Sequence, residues 1–436
     1  MTPIRMAVIG VLMEICYLSF YIVKSSPGEV LLFLVVGLLT FGLCAYAVYL
    51  LRASGRLITS GNQLLMMIIG FAVLFRLTLV PHIPVASDDV YRYVWDGKVA
   101  ATGVNPFAFA PSDARLSHLH TADLPAKISF PDMRTIYPPL AQVFFLASHQ
   151  MFGDSVSGMK LLLVLIDIVS LLVLIPLLRR LGLLPEMVLV YAWSPLSVMY
   201  FALDGHIDAL GILFLVLCIF LASTSRHIAA AVTLGLAGLA KVYPLLVAPF
   251  LMKGGEGQRR LWAPAIPVLM FVFGCWLYLE PTGGLYESLF VFSRQWSFNG
   301  SVFEILYLVV GSNAIAHLIS GILLLFWLGW VLMIKRPFIE KTFLAFLGFV
   351  IVAPVVHPWY LCWLTALLVV RWSLPVFVLL GLSFISNLVV YQYRMTGVWE
   401  DQPLVLLAEY LPFYVMLVRE IVRGTFSSSQ GRLSIP

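Results

Sequence analysis

Apolar residues run through this chain in long blocks, with polar residues gathered in the intervals between them. The blocks fall at roughly 4–23, 30–51, 62–80, 157–178, 187–203, 208–224, 228–251, 262–279, 313–334, 341–356, 358–371, 374–392 and 404–422. Many have the length of about 17–25 residues that a helix needs to cross a bilayer. In hydrocarbon every backbone polar group must be satisfied within its own segment, so such blocks become helices. The pattern predicts an all-α polytopic membrane protein of about 11–13 transmembrane helices. The first block, Ile4 to Val23, has the basic Arg5 and apolar middle of a secretory leader. No small-residue cleavage site follows it, so it is expected to remain as the first helix. Residues 1–423 then form one integral-membrane domain, and the Ser-rich stretch 424–436 is expected to be a short disordered tail.

Two blocks resist simple up-and-down counting. The segment from Tyr137-Pro138-Pro139-Leu140 to Met151 is apolar but short, which predicts a re-entrant element. The block 228–251 carries Lys241-Val242-Tyr243-Pro244 at its middle, which predicts a broken hairpin. Broken helices are tolerated at membrane depth where they line a polar cavity.

The longest interval without a spanning block runs from Pro81 to Leu140, and all of its acidic residues are Asp. It opens on Ser87-Asp88-Asp89-Val90-Tyr91-Arg92-Tyr93-Val94-Trp95-Asp96-Gly97-Lys98. Ser87 suits an N-cap, Asp88 and Asp89 suit a first turn, and Gly103 supplies a stop. Asp89, Arg92, Tyr93 and Asp96 then share a face, at i, i+3, i+4 and i+7. Val90, Val94 and Trp95 make much of the remainder apolar, as in a helix lying along a membrane surface. The plainer reading is that the two acids complement the helix dipole.

Composition sharpens the class. Hydrophobic residues are 61% of the chain, charged residues 11%, and mean hydropathy is +0.97. The net charge of +5 comes from basic loops with no cluster suited to nucleic acid. Arg52/Arg56, Arg179/Arg180, Arg226, Lys253/Arg259/Arg260, Lys335/Arg336, Arg371 and Arg419/Arg423 mark the cytoplasmic side. The Pro81–Leu140 and Glu280–Gly300 loops then face the opposite side. Cys16, Cys44, Cys218, Cys275 and Cys362 stand singly in apolar segments, without metal-ligand spacing.

Ionisable groups within or between spans are costly and therefore informative. Asp204-Gly205-His206-Ile207-Asp208 joins two blocks, Lys241 marks the broken hairpin, Arg294-Gln295-Trp296-Ser297-Phe298-Asn299 closes the second long loop, and His357-Pro358-Trp359-Tyr360 separates two blocks. All fall on the same expected face as Asp88 and Asp89, which predicts one outward polar site. Each has a structural alternative. Asp204 and Asp208 can cap helices, Lys241 can snorkel, His357 can end a span, and Trp296 to Asn299 can be ordinary loop chemistry. Of the lone intramembrane acids, Asp167 suits an interhelical hydrogen bond, and Glu14 has no evident role.

No Walker-type run, Gly-rich strand-to-helix turn or zinc spacing occurs, so a transferase here needs an activated donor that already lives in the membrane. Asp88-Asp89-Val90-Tyr91-Arg92-Tyr93-Val94-Trp95-Asp96-Gly97, Gly103-Val104-Asn105-Pro106-Phe107 and Ile136-Tyr137-Pro138-Pro139-Leu140 occur in that order. They resemble the first-loop pattern of GT-C-fold glycosyltransferases, closest to the family 87 type that uses polyprenyl-phosphate-mannose. Lys241-Val242-Tyr243-Pro244 and His357-Pro358-Trp359-Tyr360 are similar to that family's later landmarks.

The resemblance implies a GT-C-like bundle with an outer-loop juxtamembrane helix. It implies a polyprenyl-phosphate-linked sugar donor, a lipid or glycan acceptor, an active site on the non-cytoplasmic side and no nucleic acid. The general base falls on Asp89 or its neighbour Asp88, with inversion at the sugar. Arg92, Lys241, His206 and His357 are candidates for the donor phosphate. Tyr137, Trp296 and Asn299 complete the donor-binding set, and Asp204 with Asp208 forms a second acidic cluster. A divalent ion between Asp88 or Asp89 and Asp208 is conceivable, but a cationic clamp makes it unnecessary, so neither metal nor other cofactor is expected. The rival reading is a transporter or flippase of a lipid-linked sugar, which calls for polar groups near the midplane and often a two-fold repeat.

Overall fold

The computed structural model describes residues 3–23, 26–53, 62–254, 262–279 and 284–423. The expected tail 424–436 and the basic residues Arg56, Arg259 and Arg260 lie outside them, as does Glu280 at the start of the second long loop. Among the described residues the secondary structure is helical apart from one isolated bridge, Phe298 with Val355. Among the described residues the first ten α-helices in chain order are α1 (Pro3–Leu18), α2 (Ser26–Ala53), α3 (Asn62–Leu79), α4 (Asp89–Ala101), α5 (Pro139–Phe152), α6 (Val156–Arg180), α7 (Leu189–Ala192), α8 (Pro195–Val198), α9 (Asp208–Ser223) and α10 (His227–Ala240). The protein is an all-α polytopic membrane protein.

Among the described residues six helices are long and apolar enough to cross a membrane: Pro3–Tyr21, Gly28–Ala53, Asn62–Leu79, Val156–Arg180, Asn313–Met333 and Leu374–Thr396. A bent pair, Pro185–Ala192 with Pro195–Leu203, makes a seventh if read as one span. This is fewer than the block count, because several blocks are broken rather than continuous. The block 187–203 bends by 57° before Pro195, whose ring removes an N–H and disfavours helix at the preceding residue. The block 228–251 breaks where expected. α10 stops at Ala240, Lys241 is extended (φ −153°, ψ 137°), and a tighter 3₁₀ helix runs over Tyr243–Gly254. Asp208–Ser223, Ala265–Trp276, Ser301–Val310 and Pro358–Leu368 are apolar but only 10–17 residues long.

The chain forms two compact units. The first comprises Met1–Ala86, Leu174–Leu203 and Val356–Pro436. Inside it Arg76 is fully buried, its guanidinium donating to the carbonyls of Ala72 at 3.0 Å and Ala192 at 2.8 Å. Glu14, without a role from sequence, accepts from Thr78 Oγ1 at 2.6 Å. These bonds give the Arg76 guanidinium and one Glu14 oxygen partners within spans, where water cannot supply them.

The second unit comprises Ser87–Val173 and Asp204–Val355 and holds most of the candidate residues. Its α4 begins as the sequence suggests, one residue later than a Ser87 cap would place it. Asp88 occupies the cap position, its carbonyl accepting from Tyr91 N–H at 3.1 Å, while Ser87 Oγ accepts the Asp89 N–H at 3.3 Å. Beyond Thr102, Gly103 turns the chain at φ +81°, a left-handed conformation that glycine adopts without steric cost. α5 starts on Pro139, whose missing N–H costs nothing in a first turn. The two helices cross at Gly97, where a Cβ would run into the backbone carbonyl of Phe145.

Candidate active site

The α4–α5 crossing fixes one wall. Arg92 Nε donates to Asp96 Oδ1 at 2.9 Å, and Arg92 Nη1 donates to the Met133 carbonyl at 2.9 Å. The other oxygen of Asp96 accepts from Gln142 Nε2 at 3.0 Å, and that same nitrogen reaches Thr135 Oγ1 and the Tyr137 carbonyl. Asp96 and Gln142 are almost fully buried, so this chain of bonds ties α4, α5 and the 133–137 segment together. Tyr93 stacks on Phe145 at 4.6 Å and meets Tyr137 edge-on at 4.8 Å. The result is a rigid mount for the Tyr137 ring, beside the half-buried first turn of α4.

In that wall Arg92, a candidate for the donor phosphate, also braces the helix. Its guanidinium holds the Asp96 side of the helix. Burial pushes the Asp89 pKa up to about 6. The ammonium of Lys241 and a hydrogen bond from Tyr137 pull it partly back, while the charges of Asp88 and Asp208 add to the rise. About 33% of the Asp89 side chain stays accessible, so this desolvated carboxylate remains reachable. Tyr93, buried beside it, has its pKa driven well above the ordinary tyrosine value, first by desolvation and then by the Asp89 charge, and keeps its proton.

The opposite wall is the 204–208 segment, every ionisable residue of which is fully buried. His206 Nδ1 lies 3.7 Å from Asp89 Oδ2. Asp208 opens α9, with Lys241 Nζ at 3.2 Å from its Oδ2 and the Tyr243 hydroxyl donating to its Oδ1. Lys241 is available for this because α10 ends one residue earlier, and its ammonium also lies 5.7 Å from the centre of the Tyr137 ring. The structure therefore gathers Asp89, Tyr137, His206, Asp208 and Lys241, with Tyr243 added from a motif in which only Lys241 stood out by sequence.

The remaining candidates have aromatic or backbone neighbours of their own. Trp296 is half-buried between Phe130, edge-on at 5.0 Å, and Phe292, stacked at 5.6 Å. Asn299 is buried with a left-handed backbone (φ 54°) beside the Phe298–Val355 bridge. His357 belongs to the first unit, where it stacks on Trp359 at 4.1 Å. Asp204 faces the ammonium of Lys160, a fully buried residue near the start of α6 that the sequence reading passed over. Its signal was present, as a lysine inside an apolar block, but so close to a span end it reads as a headgroup anchor. Among the described residues no three His, Cys, Asp or Glu side chains come together to hold a metal ion.

Chemically, the cluster pairs one accessible carboxylate of near-neutral pKa with a lysine and a histidine. It can accept a proton from a hydroxyl while cationic or hydrogen-bonding groups stabilise a departing anion. Residues 12–253, more than half of the chain, match the family described as alpha-(1->6)-mannopyranosyltransferase, N-terminal domain. The matched range contains every member of the cluster, whereas Trp296, Asn299 and His357 lie beyond it. No curated protein and no solved structure matches the chain. A GT-C mannosyltransferase resemblance in the first-loop motifs, a helical membrane fold and this family match agree: the chain belongs to the alpha-(1->6)-mannopyranosyltransferase family and is a membrane glycosyltransferase that transfers mannose.

Proposed function

We propose that this mannosyltransferase takes its sugar from a polyprenyl-phosphate donor and passes it to a hydroxyl of a lipid or glycan acceptor, with Asp89 as general base. The observation that carries the reading is the environment of Asp89. It is a carboxylate with pKa about 6, partly accessible, 3.7 Å from buried His206 and within the field of Lys241. A base works best when its pKa lies near the working pH, and this one is mostly ionised at pH 7. Asp88 is its neighbour at the helix cap and the alternative base.

In the reaction the acceptor oxygen attacks the anomeric carbon, forming the new glycosidic bond as the bond from that carbon to the phosphate oxygen breaks. The acceptor proton passes to Asp89, and polyprenyl phosphate leaves with the electron pair. A single displacement of this kind inverts the anomeric centre. Lys241 and His206 stabilise the leaving phosphate, Asp208 holds Lys241 in place, and the Tyr137 ring offers a face for the sugar. Trp296 and Asn299, on the second long loop, take part in binding the sugar or glycan. The absence of a nucleotide-binding motif in the sequence supports a lipid-phosphate donor. The basic-loop pattern supports a site on the non-cytoplasmic face of the cell's inner or plasma membrane.

The test is transfer by the purified protein in lipid nanodiscs, offered radiolabelled polyprenyl-phosphate-mannose or a nucleotide-activated mannose. Product from the first alone is expected. Product from the nucleotide donor alone would overturn the donor assignment.

A further inference from the structure

Lys160 stands in the first turns of α6, where a lysine usually extends its stem toward water. This side chain is instead fully buried. Its stem lies against Gly205: a Cβ added there would lie 2.8 Å from Lys160 Cγ, 3.3 Å from Lys160 Cδ and 3.0 Å from Val90 Cγ2 of α4. Gly205 also sits at φ +75°, so both the tight fit and the backbone conformation call for glycine. Asp204, immediately before it and also fully buried, is the acid whose charge acts on Lys160.

The three ionisable residues of the segment thus alternate, and each is tied to a different element. Asp204 answers Lys160 of α6, His206 approaches Asp89 of α4, and Asp208 meets Lys241 and Tyr243 after the break that ends α10. A buried carboxylate that loses its cationic partner must relocate or take up a proton. Movement at Asp204 passes to His206 and Asp208 within four residues.

We propose that Lys160 is a positioning residue for the transfer reaction, fixing the 204–208 segment so that His206 faces Asp89 and Asp208 holds Lys241. The proposal rests on Asp89 as the base. Asp89 is faced by Asp88 from its own helix cap, Tyr93 from the next turn, Tyr137 from the segment before α5, His206 and Asp208 from the 204–208 segment, and Lys241 from the end of α10.

The experiment compares Lys160→Met, which keeps the stem without the charge, Lys160→Met with Asp204→Asn, which removes both charges, and Asp89→Asn, each in nanodiscs. For Lys160→Met the expected result is a fall in kcat of about 10- to 100-fold, as for a small misplacement of reacting groups. Donor KM stays nearly unchanged, and the acid limb of the kcat/KM profile is displaced by about half a pH unit or more, because the charges around Asp89 have moved. The double variant recovers most of both, since no buried charge is left uncompensated.

A fall that only follows the folded fraction, with the acid limb in place, would make Lys160 a packing residue and overturn the proposal. A double variant no better than the single one, or a rise in donor KM alone, would do the same by pointing to direct contact with substrate. Should Lys160→Met not fold, the double variant decides alone: near-normal rate and profile support the proposal, and loss of either defeats it. The Asp89→Asn arm separates the two readings. Full activity there removes the base assignment, while the coupling of Lys160 to Asp204 is still read from kcat.

Discussion

Lys241 Nζ lies 3.2 Å from Asp208 Oδ2, joining the residue just past the end of α10 to the residue that begins α9. Both are polar groups at helix ends, and each would be a liability among apolar segments without the other. The same ammonium helps hold down the pKa of Asp89, so one lysine serves two carboxylates.

Replacing Lys241 by Ala therefore has two separable consequences. Loss of a charge-assisted bond to the donor phosphate weakens donor binding by about 1.5–3 kcal/mol. Loss of its attraction also lets the Asp89 pKa rise above about 6, so the acid limb of the kcat/KM profile moves to higher pH. Donor titration and a pH–rate profile check both. Unchanged donor affinity removes Lys241 from the phosphate site, and an unmoved limb separates it from Asp89.

Arg92→Met tests the brace against a role in binding. Breaking the buried pair with Asp96 leaves a carboxylate that is 2% exposed, at a cost of about 3–5 kcal/mol. A lower melting temperature is expected, with the donor KM of the surviving folded fraction unchanged. A raised KM with normal stability would return Arg92 to the donor site.

Gly97→Ala weighs two opposed effects. Helix propensity favours Ala over Gly by about 1 kcal/mol. The new methyl meets the backbone of Phe145, which cannot swing aside as a side chain can, and overpacking of this kind costs about 1–3 kcal/mol. Net destabilisation is expected in a thermal melt. An equal or higher melting temperature would mean that α4 and α5 separate freely.

The parts legible in the sequence were those set by local rules. Ser87, Asp88 and Gly103 bound α4 to within a residue or two, and the Tyr243-Pro244 break foretold the end of α10 at Ala240. The family motifs led to Asp89 and Lys241, and the cost of ionisable groups between apolar blocks led to His206 and Asp208. What could not be read was the choice among partners of equal spacing. Arg92 has Asp89 three residues before it and Asp96 four after, and the distant Met133 carbonyl settles the choice toward Asp96. Lys160 was hidden because its burial depends on Asp204 and Gly205, more than forty residues away in the chain. The block count exceeded the number of long helices because hydropathy averages across a proline bend such as that before Pro195.

The charge state of Asp89 also makes a stability prediction. Its pKa of about 6 in the folded protein exceeds the ordinary 3.8, so between those values the folded state binds more protons than the unfolded chain. This group's contribution to stability then falls as pH rises through that window. Asp89→Asn, which cannot ionise, is expected to melt at a higher temperature than the unmodified protein at pH 7.5, with the difference vanishing below about pH 4. A lower melting temperature at pH 7.5 would show that the ionised carboxylate stabilises the fold.

The same substitution should lower turnover steeply, and the contrast with Asp88→Asn identifies the base. Asp88 holds the cap position of α4 through its backbone carbonyl, with no side-chain capping bond to lose, so Asp88→Asn should fold normally and keep most of its activity. Asp89 is the carboxylate that His206 approaches and that Tyr137 and Lys241 act on. Asp89→Asn retains the shape of the side chain and its hydrogen bonding but cannot take the acceptor's proton. Loss of a general base lowers the rate by about 10²–10⁴-fold. Donor affinity should be nearly intact, because the loss falls on an interaction made in the transition state. Single-turnover transfer from polyprenyl-phosphate-mannose, with donor binding measured in parallel, separates the cases. If Asp88→Asn is the inactive variant, the base is the neighbouring residue and the His206 contact serves orientation alone. If both variants turn over normally, neither aspartate is the base, and the proton must leave by a group outside this cluster.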